Sequence, residues 1–372
     1  MYKNMNKRIS IIVALVIVLV GALAYQNKVH KQANEPIKIG GLFALSGYAA
    51  FAGEASRDGF LMAIEDSGTK IPYVIEDFHS DVKTALTAAK KLTEVDKVQM
   101  VIGPEWSEFG EVVAPLAKEK NIPFISPWMN SEPAWVNPYY FSATPSGRGQ
   151  YKKILDYMER HGVKNIVIVY SNNAWSLGER IVFSEEVKTN GKINVLGEFK
   201  SGQDAKDFRN DIIKINQIKP DAIYSIFSTW ENQGLFSKQL SNLGFFYPIY
   251  SQDSLAEDPS LKEQFGKYVV GQIYTKITES KNSPAFVNKF EKRFGHKPGA
   301  ISAAAAYDMT ALTLDAIKNG AKNGKDIQKY LSTVKNYDGY SNSITFNQKG
   351  QVEGSGFAIK KITVGGYEMI EN

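Results

Sequence analysis

The chain has 372 residues, which is too long for one ordinary hydrophobic core and predicts two lobes of about 150 residues each. A hydrophobic content of 43% and a charged content of 22% exclude both a disordered chain and a polytopic membrane protein. The sequence contains no cysteine, which excludes disulfides, thiolate metal sites, cysteine nucleophiles and a lipid-modified N-terminal cysteine.

Residues 1–24 have the pattern of a signal peptide. Three basic residues precede a long apolar run that ends in Ala22-Leu23-Ala24, which fits the small-x-small cleavage pattern. Because the apolar run is almost long enough to span a bilayer, an uncleaved N-terminal anchor is the alternative. Either reading exports the rest of the chain, and we expect a periplasmic protein. Cleavage before Tyr25 would lower the net charge from +5 to +2, too little to indicate nucleic-acid binding.

After a linker at residues 25–35, short β-rich runs alternate with helical patterns, which predicts parallel sheets covered by helices. The first predicted strands are Ile37–Leu45, Tyr73–Asp77, Met100–Gly103 and Pro123–Ile125. The segment "SATPSG", residues 142–147, then breaks the pattern and suits a crossover between lobes.

A second series of strands and helices follows this break. Its predicted strands are Asn165–Tyr170, Ile193–Leu196, Ala222–Phe227 and Pro248–Tyr250, followed by a β-like run over Tyr268–Ile277. Residues 341–370 indicate short antiparallel strands with turns at residues 348–350 and 365–366. The whole pattern predicts an α/β protein with two doubly wound, Rossmann-like lobes.

The sequence shows no motif for catalysis or for metal binding. Its four histidines form no HExxH pattern or close pair, and neither a GxxxxGK[ST] phosphate loop nor a GxSxG elbow is present. The glycines in residues 40–53 do not form a GxGxxG dinucleotide motif. We therefore predict a protein that is not an enzyme and has no catalytic residues, cofactor or metal.

Polar and aromatic residues recur where the predicted strands end, which is where doubly wound sheets bind ligands. They are Ser46, Tyr48 and Phe51; Glu105, Trp106 and Ser107; Trp128, Met129 and Asn130; Asn172, Asn173 and Trp175; Ser228, Thr229 and Trp230; and Gln252 and Asp253. The four tryptophans of this set fall in predicted loops, which favours an aromatic cleft over core packing. Structural roles stay open for three others: Ser107 as a helix N-cap, Asn130 in an Asx-turn and Asp253 as a solvated acid.

Four segments follow one another in a fixed order along the chain: "IKIGGLFALSGYAAFAGEASRDGFLMAIED", "VIGPEWSEFGEVVAPLAKEKNIPFISP", "AAAAYDMTALTLDAI" and "ITFNQKGQV". Together they resemble the type I periplasmic binding proteins of the branched-chain amino-acid class, the solute receptors of ABC importers. The resemblance covers essentially everything after residue 36. It implies two lobes, residues 36–145 with 277–338 and residues 146–276 with 339–372, joined by three crossovers near residues 144–147, 274–278 and 337–341.

The resemblance also implies a ligand site between the lobes. Ser107 matches a serine that binds the α-carboxylate of an amino acid, and Asp253 matches an acid that pairs with its ammonium group. The other implied ligand contacts are Tyr48, Phe51, Trp106, Trp128, Met129 and Asn130 from the first lobe, and Trp175, Thr229 and Trp230 from the second. Phe51-Ala52 stands where relatives often have a tyrosine, and Asn130 where a threonine is common.

The implied function is that of an extracytoplasmic solute-binding protein that captures an amino acid, or a related small amide or carboxylate, by hinge closure. Its partner would be an inner-membrane ABC permease, its contact with the membrane would be limited to an uncleaved anchor, and we expect a monomer. The main alternative is a ligand-sensing module that presents its bound state to a separate membrane signalling protein.

Overall fold

The computed structural model describes residues 36–129, 137–145, 147–252, 256–353 and 356–371. The predicted signal peptide and linker lie outside these ranges, as do Asn130 and Asp253. Across the ranges that are described, no helix is both long enough and apolar enough to cross a bilayer.

The elements alternate along most of the chain, as the sequence pattern predicts. The described strands are β1 (Ile39–Phe43), β2 (Tyr73–Asp77), β3 (Met100–Ile102), β4 (Phe124–Ser126), β5 (Tyr140–Pro145), β6 (Asn165–Ser171), β7 (Asn194–Ser201), β8 (Ala222–Ile226), β9 (Ile249–Gln252), β10 (Ile273–Ile277), β11 (Tyr337–Asp338), β12 (Ser343–Phe346), β13 (Gln351–Glu353), β14 (Phe357–Ile362) and β15 (Tyr367–Glu371). The described helices are α1 (Ala50–Asp66), α2 (Val82–Lys90), α3 (Ser107–Lys120), α4 (Gly147–Arg160), α5 (Ala174–Asn190), α6 (Arg209–Ile218), α7 (Trp230–Asn242), α8 (Pro259–Val269), α9 (Ser283–Phe294), α10 (Ser302–Lys318) and α11 (Gly324–Leu331). A π-helical turn, Lys91–Val95, continues α2.

The first sheet has the order β11-β12-β13-β5-β4-β3-β1-β2. Strands β1 to β5 pair in parallel, and β13 adds a further parallel pair with β5. Strands β1, β3 and β4 are buried along their whole length because helices cover both faces of the sheet. Apolar side chains of α1, α10 and α11 form the core on one face, and those of α2 and α3 form the core on the other.

The second sheet has the order β15-β14-β10-β9-β8-β6-β7. Strands β6 to β10 are parallel, and β14 and β15 extend the sheet by antiparallel pairing. Helices α4 and α5 pack on one face, and α6 and α7 pack on the other. In both sheets the parallel strands point their carboxyl ends to one edge, where the loops before the next helices begin.

Three parts of the sequence interpretation need correction. Residues 142–145 continue strand β5 rather than breaking the fold, and Tyr268 and Val269 end helix α8 rather than begin a strand. The chain passes between the sheets after β5 and after β10, but its third passage lies between β13 and β14, not near residue 339. Strands β12 and β13 belong to the first sheet, because β12 pairs with β13 and β13 pairs in parallel with β5, which is far away in the sequence.

Candidate functional site

Helix α3 begins at the carboxyl edge of the first sheet without a side-chain cap. Trp106 occupies the N-cap position, and its side chain makes no capping hydrogen bond. The first amide bonded back along the helix is that of Gly110, which donates to the Trp106 carbonyl at 3.0 Å. The N–H groups of the preceding turn have no intrahelical acceptor, so the positive end of the helix dipole is available to an anion.

Ser107 is the first residue of α3, and its hydroxyl oxygen is buried. This oxygen has no hydrogen-bond partner among the described residues. An unpaired buried hydroxyl costs about 1–3 kcal/mol, which a ligand that accepts a hydrogen bond from it would recover. Ser107 is not the N-cap of α3, so the capping role left open by the sequence does not explain this serine.

The backbone before α3 has an unusual conformation. Trp106 has φ 65° and ψ 148°, which is rare for a large side chain and costs of order 1–3 kcal/mol. The Trp106 N–H donates to the carbonyl of Trp128 at 2.7 Å, and this bond joins the loops that follow β3 and β4. The loop contacts thus fix the start of α3 in a conformation in which no side chain caps its first N–H groups.

Aromatic side chains surround the start of α3. The ring of Trp106 lies 5.7 Å from that of Tyr48, 6.0 Å from that of Phe51 and 6.4 Å from that of Phe109, between ring centroids. Tyr48 and Phe51 are 62% and 51% exposed. Partial burial of its side chain and a hydrogen bond to Glu108 raise the pKa of Tyr48. Three of the predicted contacts therefore form one exposed aromatic surface beside the helix N-terminus.

Met129 holds the loop after β4 against strand β5 and helix α3. Its N–H donates to Thr144 Oγ1 at 3.1 Å, and its carbonyl accepts a hydrogen bond from the Ser142 hydroxyl. Its side chain packs closely against Gly110 of α3, where a Cβ would lie 2.3 Å from the sulfur atom. Both backbone polar groups are already used, and a direct contact of Met129 with a ligand stays a prediction.

Glu105, which precedes Trp106, is buried to 1% exposure. Neither carboxyl oxygen has a hydrogen bond of standard geometry within the described ranges. Burial raises the pKa of Glu105 to about 7, and the nearby Ser56 hydroxyl and the amides of Ala44 and Glu105 offset only part of that rise. The Ser56 hydroxyl also donates to the Ala52 carbonyl at 3.0 Å, so it stabilises the ionised carboxylate only weakly.

Two helices of the second lobe, α5 and α7, differ from α3 because their N-termini are capped by side chains. Asn173 caps α5 by accepting the Ser176 N–H at 2.8 Å, and Thr229 caps α7 by accepting the Asn232 N–H at 3.2 Å. Thr229, a predicted ligand contact, therefore already has a structural role. The predicted position of two tryptophans is corrected: Trp175 and Trp230 lie in the first turns of α5 and α7, not in loops.

The second-lobe tryptophans also take part in packing. Trp230 lies 6.3 Å from the ring of Phe265 in α8, and Trp175 is half-buried against the core beneath α5. Helices α3 and α5 contact each other, so the two lobes meet through helices that begin at the carboxyl edges of their sheets. The hydroxyls of Ser176 and Ser228 are buried at the second edge without a partner among described residues. Ser176 could not be identified from the strand ends, because it lies inside α5, three residues after the capping Asn173.

A serine, an aspartate and a histidine lie together near Tyr48, and their geometry tests a hydrolytic role. Ser46 Oγ is 2.7 Å from His79 Nδ1, and Asp77 Oδ2 is 2.9 Å from the same nitrogen. A Ser-His-Asp triad needs the serine and the acid on different ring nitrogens, because one nitrogen takes up the serine proton while the N–H of the other donates to the acid. This arrangement does not form such a triad, and no metal-binding group of acids and histidines occurs in the part of the chain described.

The sequence matches the family described as "Periplasmic binding protein" over residues 36–362. The chain belongs to the periplasmic binding protein family. This periplasmic binding protein is similar in structure to the leucine binding protein LivK of Thermotoga maritima, with a TM-score of 0.75 and 22% identity over 90% of this chain and 97% of LivK. It also resembles a solute binding protein of Rhodopseudomonas palustris in complex with 3,4-dihydroxybenzoic acid, with a TM-score of 0.72 and 20% identity over 90% of this chain and 96% of that one. The predicted fold, two α/β lobes of the type I class, is confirmed.

The curated relatives of this periplasmic binding protein include plant receptors. It is 23% identical to Glutamate receptor 3.7 of Arabidopsis thaliana over 77% of its own length, and 20% identical to Glutamate receptor 3.4 over 56%. It spans only 33% and 23% of the lengths of these two receptors.

Proposed function

We propose that this protein is an extracytoplasmic solute-binding protein of an ABC importer that captures a small carboxylate-bearing ligand between its lobes. The observation that carries the proposal is the uncapped N-terminus of α3 with the unpaired hydroxyl of Ser107 beside it. Free amides, a hydroxyl donor and the helix dipole together make a site for one carboxylate group.

The ligand docks first on the first lobe. Its carboxylate accepts hydrogen bonds from Ser107 and from the free amides of α3, and the rest of the ligand lies along the ring surface of Tyr48, Phe51 and Trp106. Charge-assisted hydrogen bonds are about twice as strong as neutral ones, so this contact gives the ligand its orientation.

The second lobe then closes over the bound ligand. Trp175 and Trp230 supply apolar walls, and Asp253 pairs with an ammonium group when the ligand is an amino acid. Trp128, Asn130 and Thr229 complete the contacts in this proposal. Closure excludes water and strengthens each polar contact, and it is favoured only as far as the ligand binds the closed form more tightly.

The ligands named for two structural neighbours support a carboxylate. LivK is described as a leucine binding protein, and the Rhodopseudomonas palustris protein holds 3,4-dihydroxybenzoic acid. One of these molecules is an amino acid and the other is aromatic, but both carry a carboxylate. We propose that the protein is exported by residues 1–24 to the periplasm, acts as a monomer without catalysis, and delivers its ligand to an inner-membrane permease.

A thermal-shift screen of matched ligand pairs tests this function. We expect L-leucine, L-glutamate or benzoate to raise the melting temperature, since a ligand present at 100 times its Kd adds about 2.7 kcal/mol of stability. The amides of leucine and benzoate keep the same carbon skeleton but lose the only carboxylate, and we expect them to give no shift. Equal shifts for an acid and its amide, or no shift with any carboxylate, would contradict the proposal.

The likeness to plant glutamate receptors favours a second candidate, a ligand-sensing module that reports to a separate membrane protein. N-terminal sequencing of the exported protein separates the two candidates. A mature chain that starts at Tyr25 supports the transport receptor, and a retained N-terminal segment supports the anchored sensor.

A further inference from the structure

We propose that binding of a carboxylate at the N-terminus of α3 is coupled to uptake of a proton by Glu105. The inference rests on the proposed function, because it concerns the same site. It predicts that the protein binds a carboxylate more tightly as the pH falls.

Glu105 is a buried acid close in sequence to Ser107. Glu105 lies in the segment that joins β3 to α3, two residues before Ser107, and it is 1% exposed. Both of its oxygens are buried, and none of the described groups forms a standard hydrogen bond with them. A carboxylate in this position has lost its hydration, and the nearby Ser56 hydroxyl and the amides of Ala44 and Glu105 replace only part of it, which disfavours the ionised form.

The neighbouring charges and hydroxyls do not compensate for the lost hydration. Tyr140 of β5 faces Glu105 with a buried hydroxyl, and Ser56 of α1 also donates to a backbone carbonyl. The next acid on α3, Glu108, accepts the hydrogen bond of Tyr48. No cation is among the described groups that perturb Glu105, whose pKa burial raises to about 7. Its carboxyl group therefore changes protonation near neutral pH.

A ligand carboxylate at Ser107, two residues further along the chain, would add a second negative charge near this buried group. Two carboxylates that share a site raise the pKa of one of them. By linkage, a ligand that raises the pKa of Glu105 must itself bind more weakly when Glu105 is ionised. A neutral Glu105 removes this repulsion and leaves the amides and hydroxyl of α3 to the ligand.

Calorimetric titration at two pH values tests the coupling. The probe is whichever of L-leucine, L-glutamate and benzoate gives the largest thermal shift. We expect the affinity of the wild-type protein to fall about fivefold to tenfold between about pH 6 and about pH 8, which is the range for one linked proton. Glu105→Gln carries a neutral isostere, and we expect its affinity to be the same at both pH values.

Glu108→Gln is the matched control, because it removes a half-buried acid from the first turn of the helix that follows Glu105. We expect this variant to keep the pH dependence of the wild type. Equal wild-type affinity at both pH values, or a Glu105→Gln variant with the full pH dependence, would overturn the coupling while leaving the proposed function intact. A screen in which no carboxylate binds would overturn both.

A measurement on the wild-type protein keeps the test decisive if Glu105→Gln does not fold. Titrations at one pH in phosphate and in Tris differ in observed heat when binding takes up a proton, because the two buffers have different ionisation enthalpies. We expect uptake of up to about one proton per ligand. Identical heats in the two buffers would overturn the coupling.

Discussion

The helix N-termini of the two lobes lie at corresponding edges of their sheets but differ in their hydrogen bonding. In the second lobe, Asn173 and Thr229 cap α5 and α7 with their side chains. In the first lobe, the N-cap position of α3 is occupied by Trp106, which caps nothing, and the hydroxyl of Ser107 is unpaired. The second lobe has capped the starts of α5 and α7 with side chains, whereas the first lobe has left the start of α3 without a side-chain cap, at a cost in stability.

This difference assigns different tasks to the two lobes. An open helix N-terminus can bind a charged group, whereas a capped one mainly holds its helix in place. We infer that the first lobe binds the ionic part of the ligand, and that the second lobe covers it with Trp175 and Trp230. The comparison predicts that charge and pH act through the first lobe and that cap removal acts through the second.

The largest expected effect is on the pH dependence of stability. The pKa of Glu105 is raised from 4.5 to about 7, so over that interval the unfolded chain loses its proton while the folded chain keeps it. The stability present at low pH is therefore lost as the pH rises, by about 3 kcal/mol in total. Urea unfolding at about pH 5 and pH 8 should show this fall in the wild type and a smaller fall in Glu105→Gln.

Asp308 also contributes to the pH dependence of stability, so the contribution of Glu105 has to be measured against a variant. It is buried in the first lobe, and burial raises its pKa to about 6, so it contributes a fall of the same sign in both proteins. Only the difference between wild type and Glu105→Gln reports on Glu105. Equal pH dependence in the two proteins would show that Glu105 does not titrate in this range.

The next largest effect is expected for Ser107→Asp. An acid in the first turn of a helix stabilises it, but here it would occupy the site of the ligand carboxylate and repel it. We expect affinity to fall at least about a hundredfold, or about 2.8 kcal/mol, with no loss of thermal stability. Asn173→Asp is the control, because it places the same charge on a capped helix of the second lobe. A similar loss of affinity in both variants would contradict the assignment of carboxylate binding to the first lobe.

Cap removal should produce a smaller effect on stability. Thr229→Ala removes the acceptor of the Asn232 N–H, and we expect the free energy of unfolding to fall by about 1 kcal/mol. Ser107→Ala removes no cap and deletes an unpaired buried hydroxyl, so we expect no loss of stability. Urea unfolding of both variants checks this contrast, and an equal loss in the two would contradict it.

The smallest effect is expected for Trp128→Phe. The Trp128 carbonyl accepts the hydrogen bond of the Trp106 N–H, and a phenylalanine keeps this backbone bond. We expect the affinity of the variant, measured by calorimetry, to stay within about threefold of the wild type, or about 0.7 kcal/mol. A larger loss would show that the indole ring itself contacts the ligand.

Much of the fold follows from local sequence pattern, and its errors arise from contacts distant in sequence. Short β-rich runs that alternate with helical patterns predict β1, β2 and β6 closely, because each of these strands belongs to a regular βα series. The position of β13 could not be predicted, because a short strand near the C-terminus can pair with either sheet. Its parallel pairing with β5 joins segments about 200 residues apart, and no local pattern specifies it.

The site was predictable in position but not in its hydrogen bonding. Strand ends identify the residues at the edge, and Ser107 is found there as expected. The sequence does not show which helix is capped by a side chain, because each of the three helices has a residue able to cap it near its start: Ser107, Asn173 and Thr229. The choice depends on loop conformation, such as the positive φ of Trp106, and this conformation is set by the bond to Trp128.

A crystal structure of the protein with a bound carboxylate ligand is the most direct test of carboxylate binding at the N-terminus of α3. We expect one carboxylate oxygen to lie within about 3 Å of Ser107 Oγ, and the carboxylate to accept a hydrogen bond from a first-turn amide of α3. A ligand whose carboxylate is bound by the second lobe alone, with the N-terminus of α3 left empty, would contradict the account.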